Sequence, residues 1–131
     1  MMNRSTVHAS VFFTFVALWT VGLLVPLPKE SASRALGGEG GMFWFGKTLH
    51  ISAYLFLTLL GGSMPLARRQ RWMLLGGISF HAFATEFLQL FVDRGASLRD
   101  AGLDNLGIAL GVAVGWHWWR GLLLRPSESA L

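Results

Sequence analysis

The chain has 131 residues, of which 53% are hydrophobic and 14% charged, with a mean hydropathy of +0.49. This lies outside the balance of an ordinary soluble domain and reads as a membrane protein. The net charge is +4, but the arginines sit at chain ends and connections rather than on one helical face, which excludes nucleic acid as a partner; with no cysteine, disulfides, thiolate metal sites and thiol nucleophiles are excluded too.

The first apolar run, 9–27, carries no formal charge and has the roughly 20 residues a helix needs to cross a bilayer. Pro26 and Pro28 end it. A signal peptide is the rival reading, with Arg4 as its basic start and Ser31, Ala32 and Ser33 as small residues, but the run is long for an h-region. A connection over 29–41 follows. Its glycines, Gly37, Gly38, Gly40 and Gly41, predict an exposed loop rather than a regular helix.

A second span is expected over 43–63, closed by Pro65 and the basic cluster Arg68, Arg69 and Arg71. A third covers 72–92. A short polar connection then leads to a fourth over 100–119, whose end carries His117 among Trp116, Trp118 and Trp119 as an interfacial aromatic belt. The fold class expected is therefore an all-α membrane protein, one domain over 1–131 with four transmembrane helices.

Orientation follows from Lys and Arg, which are enriched in short cytoplasmic loops. Arg4, Arg68, Arg69, Arg71, Arg120 and Arg125 fall on one side; Lys29, Arg34, Arg94 and Arg99 fall on the other. Both termini are expected in the cytoplasm of a multi-pass protein of the bacterial inner membrane.

Four polar residues inside the apolar runs need a reason. Glu86 holds the one formal charge in 72–92, with Gln89 three residues on, while Lys47 and His50 interrupt 42–67. An ionised group at mid-depth in hydrocarbon costs about 3 kcal/mol, so such residues face a bundle interior and mark a site. The topology brings all four near the outer leaflet, beside the connection with Asp93, Arg94, Ser97, Arg99 and Asp100 and the start of the fourth span at Asp104. Lys47, His50 and Tyr54 share one helical stripe, and Asp100, Asp104, Gly107 and Gly111 share another. Gly107 and Gly111 form a G-x-x-x-G spacing that allows close helix packing.

The ordered set Lys47-x-x-His50-x-x-x-Tyr54, Glu86-x-x-Gln89 and Arg94-x-x-Ser97-x-x-Asp100-x-x-x-Asp104-x-x-Gly107-x-x-x-Gly111 resembles the VanZ-like family of small bacterial membrane proteins, over 46–111. Asp104 stands where that family usually has Asn, with Asn105 next along, and Gly46 stands where it often has Asp. The resemblance implies a polytopic protein of the bacterial cytoplasmic membrane, associated at family level with low-level resistance to the glycopeptide teicoplanin. It implies no settled activity.

Each candidate role has a plainer counterpart. Glu86 and Lys47 form either an interhelical salt bridge or part of a pocket; His50 is a proton carrier or, as favoured here, a hydrogen-bond partner of Glu86 or Tyr54. His81 reads as a neutral imidazole bonded across to another helix. Arg94 suits phosphate or carboxylate recognition, and Asp100 suits a helix N-cap.

No H-E-x-x-H or nucleophile elbow is present, so neither a metal, a cofactor nor a catalytic residue is expected, although His50, Glu86, Asp100 and Asp104 have access to one outer face. The leading expectation is a non-enzymatic protein that binds or handles an envelope lipid precursor or a lipid-bearing antibiotic such as a lipoglycopeptide at the outer leaflet, among membrane lipids. Lys47 and Arg94 would meet the head group, Glu86 and Asp100 would hold those cations, and His50 and Gln89 would orient them. The alternatives are a membrane enzyme acting on a phosphate- or amide-bearing lipid, with Glu86 or His50 as general base, and a structural subunit of a membrane complex.

Overall fold

The computed structural model describes residues 4–26, 28–92 and 97–122. Among these the regular structure is all helical: α1 (Arg4–Leu24), α2 (Lys29–Ala35), α3 (Gly38–Gly62), α4 (Arg68–Gln89), α5 (Leu98–Val114) and α6 (Trp116–Trp119), closed by a 3-10 turn at Arg120–Leu122.

The expected loop over 29–41 is instead helical on both sides of one corner. Pro28 caps α2, its carbonyl accepting from Ala32 N–H at 3.0 Å. Glu30 in the first turn and Arg34 in the last suit the helix dipole. Gly37 and Gly38, with φ of 80° and 90°, then turn the chain through a conformation other residues avoid. The glycines mark a corner; Gly40 and Gly41 lie inside α3 despite their low propensity.

α1, with 21 residues, and α3, with 25, are each long and apolar enough to cross a membrane. α4 opens on Arg68, Arg69, Gln70 and Arg71, earlier than expected, and ends at Gln89. α5 has 17 residues, about 25 Å of helix against a hydrocarbon core of about 30 Å. Gly115 breaks it from α6, the Gly115 N–H bonding Gly111 O at 2.9 Å.

Large apolar side chains point outward on several helices: Phe13 and Leu18 are each 67% exposed, Phe80 74% and Phe87 60%. A water-soluble domain rarely carries so much contiguous apolar surface, and hydrocarbon is its natural solvent. Together with α1 and α3, this points to a membrane protein.

The cross-helix contacts show how the helices alternate. Along α3 and α5, Lys47 meets Asp100, His50 meets Asp104 and Gly62 meets Trp119, so these two run parallel. Thr20 with His81 and Leu23 with Gln89 make α1 parallel to α4. Tyr54 with His81 and Gly61 with Leu74 set α4 antiparallel to α3. Phe12, Tyr54, Leu57, Ile78, Ala82 and Ile108 form the core where these four meet.

One end is fixed by Arg71. Its guanidinium donates to Gly62 O at 2.9 Å, Met64 O at 3.1 Å and Leu66 O at 3.2 Å, and lies 5.6 Å from the Trp119 ring centroid. The carbonyls left open where α3 ends thereby gain a cationic donor. Trp119 is fully buried against Gly62, whereas Trp116 and Trp118 are exposed; the expected aromatic belt thus loses Trp119 to the core. Arg71→Ala is expected to destabilise the protein by about 2 kcal/mol, since hydrogen bonds to a charged group contribute about 1.5–3 kcal/mol. Thermal unfolding in detergent reads it, with Arg71→Lys recovering only part because one ammonium lacks the planar fork.

Candidate functional site

The site depends on how closely α3 and α5 approach. A Cβ at Gly111 would lie 2.6 Å from Thr58 Cβ and 2.9 Å from Leu55 O, and one at Gly107 would run into the Ile51 carbonyl. The G-x-x-x-G spacing is therefore the seam of the bundle, and its register brings the polar stripes of the two helices face to face.

Lys47 pairs with Asp100, their side chains 23% and 16% exposed. His50 Nδ1 lies 2.8 Å from Asp104 Oδ1, and Asp104 is fully buried. From α4, Glu86 Oε2 accepts the Ser97 N–H at 2.8 Å. Six of the sequence candidates, Lys47, His50, Glu86, Ser97, Asp100 and Asp104, thus lie together at one level.

The pairings differ from those expected. Lys47 takes Asp100, one of the two carboxylates expected to hold the cations, and does not pair with Glu86, so the position of Gly46 needs no carboxylate. His50 finds Asp104 instead of Glu86 or Tyr54. Ser97 rather than Asp100 caps α5, its Oγ accepting from Arg99 N–H at 3.2 Å; this engages the hydroxyl in structure. Among the described residues Glu86 forms no ion pair; its Oε2 anchors the backbone where the connection from α4 enters α5. Asn105 turns to α4, accepting from Ser79 Oγ at 2.6 Å and donating to Ala101 O at 2.8 Å, which leaves Asp104 as the inward residue. Arg94 lies outside the described residues.

Gln89 and Tyr54 serve different neighbours. Gln89 Nε2 donates to Leu23 O at 3.0 Å, closing the end of α1. Tyr54 Oη lies 2.9 Å from His81 Nδ1, and His81 Nε2 lies 2.8 Å from Thr20 Oγ1. Thr20 Oγ1 already donates to Val16 O at 2.7 Å, so it accepts from His81 Nε2–H, and Nδ1 accepts the Tyr54 proton. This assigns His81 as a neutral imidazole bridging α1 and α3. Tyr54→Phe is expected to cost about 1 kcal/mol, in line with interhelical hydrogen bonds in membranes; thermal unfolding of the variant checks it, and no change would remove the relay.

Thr20 and Thr85 were not legible as partners. Both hydroxyls donate to carbonyls one turn back, as any threonine in a helix does, so the sequence carries no sign of their second contact.

Two buried atoms remain unpartnered among the described residues of the cluster, Glu86 Oε1 and Asp104 Oδ2. Glu86, Asp104 and His50 each offer one ligand atom, all within 4.8 Å of one another. Beside Glu86 a groove of about 330 Å³ opens, lined by Phe83, Glu86, Phe87, Leu90, Ser97 and Leu98.

Comparison with family models, with curated proteins and with solved structures gives no match. The function is therefore argued from this arrangement alone. Chemically it combines a partly exposed ammonium, carboxylates held by their neighbours and an apolar trough with a polar end, while the Ser97 hydroxyl is engaged as a helix cap.

Proposed function

We propose that the protein is a four-span membrane protein with both termini in the cytoplasm, resembling the VanZ-like family, that binds an anionic amphiphile at the outer leaflet of the bacterial inner membrane. An envelope lipid precursor and a lipid-bearing antibiotic share that chemistry. α1, α3 and α4 supply three spans, and α5 continued by α6 supplies the fourth.

The observation that carries this reading is the groove between α4 and the start of α5. Its walls, Phe83, Phe87, Leu90 and Leu98, suit an acyl chain, and its polar end is Glu86 and Ser97, with Ser97 one helical turn from Asp100, the partner of Lys47. Lys47 supplies the positive charge for phosphate or carboxylate oxygens, with Asp100 keeping the ammonium in place. The alternation of the helices supports four spans: with α1 leaving the cytoplasm, the polar cluster falls near the outer surface.

Mass spectrometry of lipids retained by the purified protein tests it. An anionic amphiphile enriched over the bulk membrane extract is expected; a retained lipid composition equal to that of the membrane would remove the proposal.

A further inference from the structure

We propose that His50, Glu86 and Asp104 bind one divalent transition-metal cation of the Mn²⁺ or Zn²⁺ class, which ties α3, α4 and α5 together at the polar level of the bundle. This goes beyond amphiphile binding and does not require it.

The geometry is close to that of a coordination sphere. One ligand atom from each residue falls within 4.8 Å of the others. Ligands about 2.1 Å from a shared metal stand no more than about 4.2 Å apart, so closure needs a contraction of roughly half an ångström. Side-chain torsions supply that without moving a helix.

Two unpartnered oxygens point to the same conclusion. Glu86 is 4% exposed and Asp104 0%, yet Glu86 Oε1 and Asp104 Oδ2 have no hydrogen-bond partner. Buried acceptors are otherwise almost always satisfied. Glu86 Oε2 is held by the Ser97 N–H, an outer contact that orients a ligating carboxylate and leaves its other oxygen free for a cation. Asp104 Oδ1 lies 2.8 Å from Nδ1 of His50, itself one of the three ligands.

Charge gives the same sign. Among the described residues of the cluster, with His50 neutral, Lys47 brings one positive charge against three negative charges from Glu86, Asp100 and Asp104, an excess of two negatives beside apolar side chains. A divalent cation neutralises it. One imidazole and two carboxylates, with no sulfur, form a donor set suited to Mn²⁺ or Zn²⁺ and not to soft cations.

The test uses the full chain in detergent, stripped with chelator and re-equilibrated with Mn²⁺ or Zn²⁺ alone. Elemental analysis is expected to find about one retained ion per chain, with an unfolding midpoint about 5 °C or more above the stripped protein. Asp104→Asn keeps shape and an acceptor for His50, and Glu86→Gln keeps an acceptor for Ser97; each is expected to lower retention at least about tenfold, a loss of 1.4 kcal/mol in binding. Glu39→Gln, at an exposed acid outside the cluster, is expected to retain the ion. If a variant fails to fold, the stripped and loaded wild-type protein still decide. Retention no higher than in a detergent blank, or equal retention in Asp104→Asn and Glu86→Gln, overturns the proposal.

Discussion

Lys47→Gln is expected to insert and fold but to retain at least about tenfold less of the anionic amphiphile than the wild-type protein, because a charge-assisted hydrogen bond contributes about 1.5–3 kcal/mol and each 1.4 kcal/mol is a factor of ten in affinity. The substitution also leaves Asp100 without its cation, and that loss alone lowers stability. Combining it with Asp100→Asn separates the two effects. The double variant restores an uncharged pair and should recover the unfolding temperature while retention stays low. Recovery of both would mean that Lys47 only joins α3 to α5.

Gly107→Ala is expected to be strongly damaging, because it acts on the seam between α3 and α5. The added methyl meets the Ile51 backbone carbonyl, which has no rotamer through which to escape, so α5 must move away from α3. Overpacking of this kind costs about 1–3 kcal/mol, and contact with backbone places this site at the upper end. The same displacement parts Lys47 from Asp100 and His50 from Asp104, so amphiphile retention should fall together with stability. Gly102→Ala, on the same helix with nothing within 4 Å of its Cβ position, supplies the contrast: it should raise stability by about 0.5–1 kcal/mol through helix propensity. Unfolding midpoints in detergent for the two variants read the difference, and equal midpoints would show that the seam is not tight.

The gathering of polar groups was legible because two simple regularities act together. Residues three and four apart share a helical face, and consecutive spans reverse direction, so Lys47, Glu86 and Asp100 had to come to one depth if the apolar runs were helices. The partners within that level were not legible. Lys47 reaches Asp100 and not Glu86 because α3 and α5 run parallel across a glycine seam, and helix adjacency is a tertiary fact that periodicity does not encode. The role of Ser97 was hidden for a local reason: two polar residues three apart, Ser97 and Asp100, both suit a helix start, and the ion pair with Lys47 decides between them.

The corner at Gly37 and Gly38 carries the opposite lesson. Glycine-rich sequence lowers helix propensity, but left-handed glycines also end one helix and allow the next to start at once. Gly40 and Gly41 then follow α3 because the apolar run behind them stabilises the whole helix. Trp119 was misjudged because three tryptophans in four residues look like one interfacial belt; the break at Gly115 rotates Trp119 onto Gly62 and beneath Arg71.

The membrane path of α4 and α5 is the claim on which the outward site rests, and the absence of cysteine makes it directly measurable. Single cysteines replace Glu30, Arg69 and Arg99, which are all exposed, and intact cells are treated with a membrane-impermeant maleimide. Four spans predict labelling at positions 30 and 99, with position 69 reacting only after the membrane is opened. Protection of position 99 in intact cells, with labelling at position 30 and with reaction restored on permeabilisation, would leave α4 and α5 on the cytoplasmic side and contradict an outer-leaflet site.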